Sequence, residues 1–167
     1  DPQWFQVDLG STQTIARVVL NWEVAYGKSY QIQTSASATG PWTNIYSTTT
    51  GDGGIDDLMG LSGSGRYIRM YGTVRGTGYG YSLWEFAIYG TSGGATSTPT
   101  RTNTPAAATA TFTRTSTATA TTAAGCGATN VALNRPATSS SNENAGATPN
   151  LAVDGNAGTR WSSAFSD

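Results

Sequence analysis

The chain of 167 residues contains no histidine and a single cysteine. Without imidazole, Ser-His-Asp and Cys-His nucleophiles, His-ligated zinc and histidine acid–base work near neutral pH are all excluded. Cys126, in the small-residue context AAGCGAT, cannot close an internal disulfide and suits an idle thiol or an interchain bridge. Charge is scarce as well: 11 % of residues are charged and the net charge is −1. That leaves no electrostatic footprint for nucleic acid and no polybasic patch for an anionic membrane. Apolar runs extend only a few residues, far short of the roughly 20 needed to insert across a bilayer. N-x-S/T sequons are absent, so N-glycosylation is not indicated. No segment shows a 3.6-residue apolar stripe, so the chain reads as essentially all-β. No signal peptide is visible, but the sequence begins in mid-element and the end, TRWSSAFSD, reads as running into DPQWFQVDLG.

What is present falls into three parts. Residues 1–90 hold four of the five tryptophans and six short runs rich in β-branched and aromatic residues. These are WFQVDLG, ARVVLNWE, YQIQTSA, WTNIYST, RYIRMYG and LWEFAIYG, separated by Gly, Ser, Thr or Asp, and each reads as a strand. Period two places Phe5, Val7 and Leu9 on one face, then Val18, Leu20 and Trp22, then Trp84, Phe86 and Ile88. Residues 91–127 are mostly Thr and Ala, with threonine at every odd position from 109 to 121 and every even one from 96 to 104. Such a tract cannot build a core and reads as a linker, O-glycosylated if secreted. An alternative is a Thr-edged extended segment that adds as a strand to an exposed sheet edge. Residues 128–167 return to domain-like sequence, with NVALNRPATSSS as a strand and turn and NLAVDGNAGTRWSS as a loop-rich passage. About forty residues with one tryptophan do not fold alone, whereas the two outer segments together make one domain of ordinary size.

Read as 128–167 followed by 1–90, the sequence resembles the discoidin domain, also called the coagulation factor V/VIII type C domain, and most of all the bacterial family-32 carbohydrate-binding modules. NVALNRPATSSS, LAVDGNAGTRWSS, FSDPQWFQVDLGS, RVVLNWEVAYGKSYQIQTS, RYIRMYGT and GYGYSLWEFAIYG carry the likeness, in the family's order and outside the linker. The resemblance implies a jelly-roll-like β-sandwich of about eight strands, with neighbouring native termini and one structural calcium. The departure is the permuted order. It fits either a circular permutant or one repeat cut from a tandem array, and the long Thr/Pro/Ala tract favours the array. In that reading residues 128–167 complete a bead with 1–90 of the next unit or of the same chain, and a linker of about 37 residues could stretch roughly 120 Å.

LAVDGNAGTRW packs Asp154, Asn156 and Thr159 into a tight loop, the mixture of oxygens that hard cations take, although DGN also makes an ordinary turn. The resemblance assigns calcium to the Asp and Thr of this loop and the Glu of the last strand, matching Asp154, Thr159 and Glu85. Carbonyls near Leu151, Asn156 and Phe86 complete the expected set. GDGGIDDL (51–58) reads as a hairpin connection, and its adjacent Asp56 and Asp57 point oppositely in extended chain and cannot act as a catalytic pair. NWEVAYGKSY and TVRGTGYGYS combine rings with polar groups suited to sugars: Trp22, Glu23 and Tyr26, then Arg75, Tyr79 and Tyr81. Trp22 reads equally as core, Trp161 reads as core, and the Gly-flanked Tyr79 and Tyr81 read as exposed platforms. The family's layout brings Glu143 and Phe165 to the same end of the sandwich. Terminal sugars, amino sugars among them, are the expected partners, with the carboxylates selecting a cation. An enzyme is disfavoured, because the acidic residues fall in turns or the calcium loop and do not face one another across a cleft. The expectation is an extracellular or cell-surface carbohydrate-binding module serving as the repeat of a bead-like filament. A stand-alone lectin-like module, or an accessory module of a secreted glycoside hydrolase, is the alternative.

Overall fold

Alternation in the first twenty residues becomes one long strand, β1 (Gln3–Trp22), which buries Phe5, Val7 and Leu9 and then Ile15, Val18, Leu20 and Trp22. Its register slips between Asp8 and Gln13, an irregularity that Gly10 accommodates with φ 80°. The computed structural model describes residues 2–92 and 129–165. The Thr-rich tract, its anticipated glycans and strand addition, and Cys126 lie outside the described residues.

The other elements are β2 (Gly27–Ser35), β3 (Thr43–Thr48), β4 (Ile55–Arg75), β5 (Ser82–Ser92), β6 (Ala137–Ser139), a 3₁₀ turn (Pro149–Ala152) and β7 (Trp161–Ser162). All pairings are antiparallel, in the order β3-β2-β4-β1-β5-β7, with β6 on the first half of β1. The sheet closes on itself. Phe5, whose strand neighbours are Met70 and Ser139, stacks 5.4 Å from Phe86 on β5 and 5.2 Å from Trp161 on β7. Trp22 likewise meets Tyr30 of the non-adjacent β2 at 5.4 Å. Both contacts cross the interior, giving a β-sandwich of the discoidin type.

The later segment is built into this core. β6 and β7 pair with β1 and β5 of the same chain, Asn130 bridges Tyr89, and Ala132, Ala152, Val153 and Trp161 are buried among the residues of the first segment.

Several local expectations differ from what forms. WFQVDLG and ARVVLNWE join into β1, and RYIRMYG is the second half of β4, so the six runs make five strands. Asp56 and Asp57 belong to β4 and not to the connection before it. They do point oppositely: Asp56 accepts from Trp22 Nε1 (2.8 Å) and Tyr30 Oη (2.6 Å), while Asp57 accepts from Arg17 Nε and Nη2 at 2.6 and 2.8 Å. Burial and the Asp56 carboxylate both push the Tyr30 phenol up. On β5, Asn21 pairs with Glu85 and Trp22 with Leu83, so Trp84 is an extra residue. That bulge turns Leu83 into the core and leaves Trp84 half-buried. In NVALNRPATSSS the strand forms at Ala137–Ser139, after a turn that the Asn130 bridge anchors.

Candidate functional site

The short loop after β1 crosses the start of β5 through backbone hydrogen bonds, Glu23 N to Ser82 O (3.0 Å) and Ser82 N to Ala25 O (2.7 Å). Beside it the segment 141–146 is held by Glu143 N donating to Ser162 O at 2.7 Å. Between these lies an open cleft of ≈ 320 Å³ lined by Glu23, Val24, Ala25, Tyr79, Glu143, Arg160, Ser162 and Phe165. Its rings are exposed, Tyr79 by 57 % and Phe165 by 42 %, and they meet edge to face at 5.5 Å. That contact presents one ring face to an incoming ligand and fixes the ring's angle.

The polar side of the cleft is anionic. Glu23 has one carboxylate oxygen tethered by Ala25 N at 3.1 Å. Glu143 lies 3.3 Å from Arg160 Nη1, which also donates to Ser82 Oγ at 3.0 Å. Ser82 Oγ in turn donates to Trp161 O at 3.0 Å, so the guanidinium is mounted on a fully buried anchor. Two carboxylates against one guanidinium leave a surplus of negative charge beside two aromatic rings. Such a site attracts a cation that also has an apolar face.

Of the eight residues expected at a sugar site, Glu23, Glu143, Tyr79 and Phe165 come together here, and four do not. Tyr81 is fully buried, not an exposed platform: its ring lies against Gly72, and burial pushes its phenol up to about 12. Trp22 is core, its indole committed to Asp56. Tyr26 is half-buried against Gly53 and Gly76. Arg75 donates to Gly78 O at 3.3 Å and braces its own loop. Sequence reasoning missed Arg160, Ser162, Val24 and Ala25. One signal was available for Arg160, because a residue immediately before a core tryptophan at a strand start points away from the core.

The acidic loop is separate. Asp154 accepts Asn156 N (2.9 Å) on one oxygen and Thr159 Oγ1 (2.8 Å) on the other, and Thr159 N closes onto Asn156 O at 3.0 Å. Glu85 of β5 faces this loop, close to Asp154 and to the backbone of Gly155 and Asn156. Burial, then the nearby Asp154 charge, pushes its carboxyl up, and its Oε1 is buried without a hydrogen-bond partner. Among the described residues no group of three or more His, Cys, Asp or Glu side chains forms. A cation here would therefore rely on two carboxylates supplemented by hydroxyl and carbonyl oxygens. Leu151 lies on the flank of this loop and Phe86 is in the core.

The family model of the NedA-like, galactose-binding domain of the F5/F8 type C group matches residues 1–70. The crystal structure of chitosan-binding module 1 from the chitosanase/glucanase of Paenibacillus sp. IK-5 is 61 % identical, with 54 % of this chain and 70 % of that chain covered and a TM-score of 0.52. Chitosan-binding module 2 of the same enzyme, solved in complex with chitotriose, is 52 % identical over 52 % of this chain and 69 % of that chain, with a TM-score of 0.50. No match was found among curated proteins.

Proposed function

This chain belongs to the F5/F8 type C, discoidin-like family of carbohydrate-binding modules, and on that premise we propose that its anionic cleft binds β-linked glucosamine chains of the chitosan type. One observation carries the reading: Glu23 and Glu143 line the same cleft as the exposed Tyr79 and Phe165. A glucosamine unit offers an ammonium for the carboxylates and an apolar C–H face for the rings. N-acetylation removes the charge and adds bulk where the carboxylates sit. Its relatives are binding modules and not catalytic domains, and the cleft's acids serve recognition. A polysaccharide ligand also implies work outside the cell. Calorimetric titration should show a fully deacetylated glucosamine oligomer binding at least about tenfold more tightly than its N-acetylated counterpart, the worth of one charge-assisted hydrogen bond. Equal affinities would refute the amine-selective reading, and no binding of either would end it.

Calcium is proposed as the partner of the acidic loop, held by Asp154, Thr159 and Glu85 with neighbouring carbonyls. The support is chemical: two facing carboxylates, one with a buried oxygen that no donor reaches. A divalent ion would supply the missing positive charge and tie the loop 153–160 to β5, a structural role. Extracellular calcium sites reach dissociation constants of roughly 10⁻⁴–10⁻³ M. At millimolar calcium the melting temperature should therefore exceed that in chelator by a few degrees, and Asp154→Ala should abolish the difference. A melting temperature indifferent to both changes would remove calcium from the account.

The tandem-array reading is a further proposal, supported by the Thr/Pro/Ala tract that separates the two segments. Pairing of β6 and β7 with β1 and β5 of the same chain instead favours the alternative, a stand-alone permuted module, over beads shared between successive units.

A further inference from the structure

The outward face of the sheet formed by β1, β4 and β2 is not part of the cleft, yet it carries an organised polar and aromatic group. Register sets Trp4 beside Tyr71 and Tyr71 beside Gln31, with Arg69 and Gln33 paired in the next row. All five are half-buried, alternating with the core residues Phe5, Met70 and Ile32. Trp42, just before β3, covers the Arg69 guanidinium at 4.1 Å from its ring centroid, and Tyr71 flanks it at 4.9 Å. A cation held between two rings is pre-oriented and partly stripped of water.

Its hydrogen bonds have a forced direction. Guanidinium can only donate, so Gln33 must turn its oxygen to Arg69 Nε (2.7 Å). The Gln33 amide nitrogen then donates to Gln31 Oε1 at 2.6 Å. This relay engages the side-chain oxygens of both glutamines, and the donors it does not use are Nη1 and Nη2 of Arg69 and Nε2 of Gln31. Among the described residues no carboxylate pairs with Arg69, and the nearby Asp8–Arg66 pair (2.8 Å) neutralises itself. Burial accordingly draws the Arg69 guanidinium below its ordinary value.

We propose that this face is a second binding surface, for a chain of carboxylate-bearing sugars. A donor-only centre selects a ligand group that only accepts, and a uronate carboxylate has the planar shape that a guanidinium fork takes in two parallel hydrogen bonds. The rings of Trp42, Tyr71 and Trp4 offer the apolar faces that the sugar rings require. An acidic peptide would satisfy Arg69 but leave those ring faces unused.

Polygalacturonate cast into a native gel tests this with the whole chain at low salt. The protein should be retarded relative to a gel without polymer, although it carries a net charge of −1. The glucosamine cleft cannot account for such retention, because its surplus charge is negative. Arg69→Gln should weaken retention at least about tenfold, since charge-assisted hydrogen bonds are lost. Gln31→Glu, isosteric and on the solvent side, should do the same by setting a carboxylate against the ligand, with thermal melting confirming that each variant folds. Absence of retardation, or retardation unchanged in both folded variants, would overturn the proposal. Equal release by polyglutamate and by oligogalacturonate would overturn its sugar half and point to an acidic peptide.

Discussion

Titration of the Glu23→Gln/Glu143→Gln double variant with glucosamine oligomers is expected to show affinity reduced by about 100-fold or more. Each charge-assisted hydrogen bond from an ammonium to a carboxylate contributes about 1.5–3 kcal/mol, and the variant removes two such acceptors. The single substitutions should be unequal. Glu23→Gln deletes only a charge, whereas Glu143→Gln also leaves Arg160 without the carboxylate that lies 3.3 Å away. The freed guanidinium then faces the incoming ammonium, so Glu143→Gln should be the costlier change. Both side chains are at the surface, and both variants should melt close to the parent. A loss smaller than threefold in the double variant would show that the carboxylates do not hold the ligand.

The largest stability effect should come from a single methyl group at Gly72. A Cβ there would overlap atoms of the fully buried Tyr81 ring. Tyr81 has nowhere to retreat, because its N–H is bound to Ser163 Oγ at 2.9 Å and Ser163 N to Tyr81 O at 2.8 Å. Overpacking of this kind costs about 3 kcal/mol, several degrees of melting temperature for a domain of this size. Gly72→Ala combined with Tyr81→Leu should recover part of that loss, since the smaller side chain clears the space. Urea unfolding of the two single variants and the double closes the cycle. Strict additivity would mean that the methyl group and the ring do not compete.

Much of the core was legible because alternation is a local signal. Phe5, Val7, Leu9, Leu20 and Ile88 follow period two and are buried as it requires. The signal failed where the strand itself is irregular: the bulge at Trp84 exchanges it with Leu83, and no local pattern announces which residue of LWE will be skipped. Tyr79 and Tyr81 illustrate the same limit at the site. Both sit two apart among glycines, but one ends exposed beside Phe165 and the other buried on Gly72. The difference is made by β4, residues that alternation within GYGYS cannot report. Arg160 escaped notice because its meaning depends on Glu143 and Ser82, which reach it from elsewhere in the chain.

Trp4 and Ser140 are hydrogen-bonded at 2.9 Å although 136 positions separate them. On the ribosome that interval matters. At roughly 5–20 residues per second, about 7–27 s pass between emergence of the two partners. For the part of this interval that follows residue 92, β1 to β5 are already out, and Phe5 and Phe86 can meet before Trp161 joins them. Until Trp161 packs on Phe5, that side of the core is an aromatic opening. The sequence distance between these partners thus makes closing the sandwich a non-local step of folding, slow relative to pairing within a hairpin.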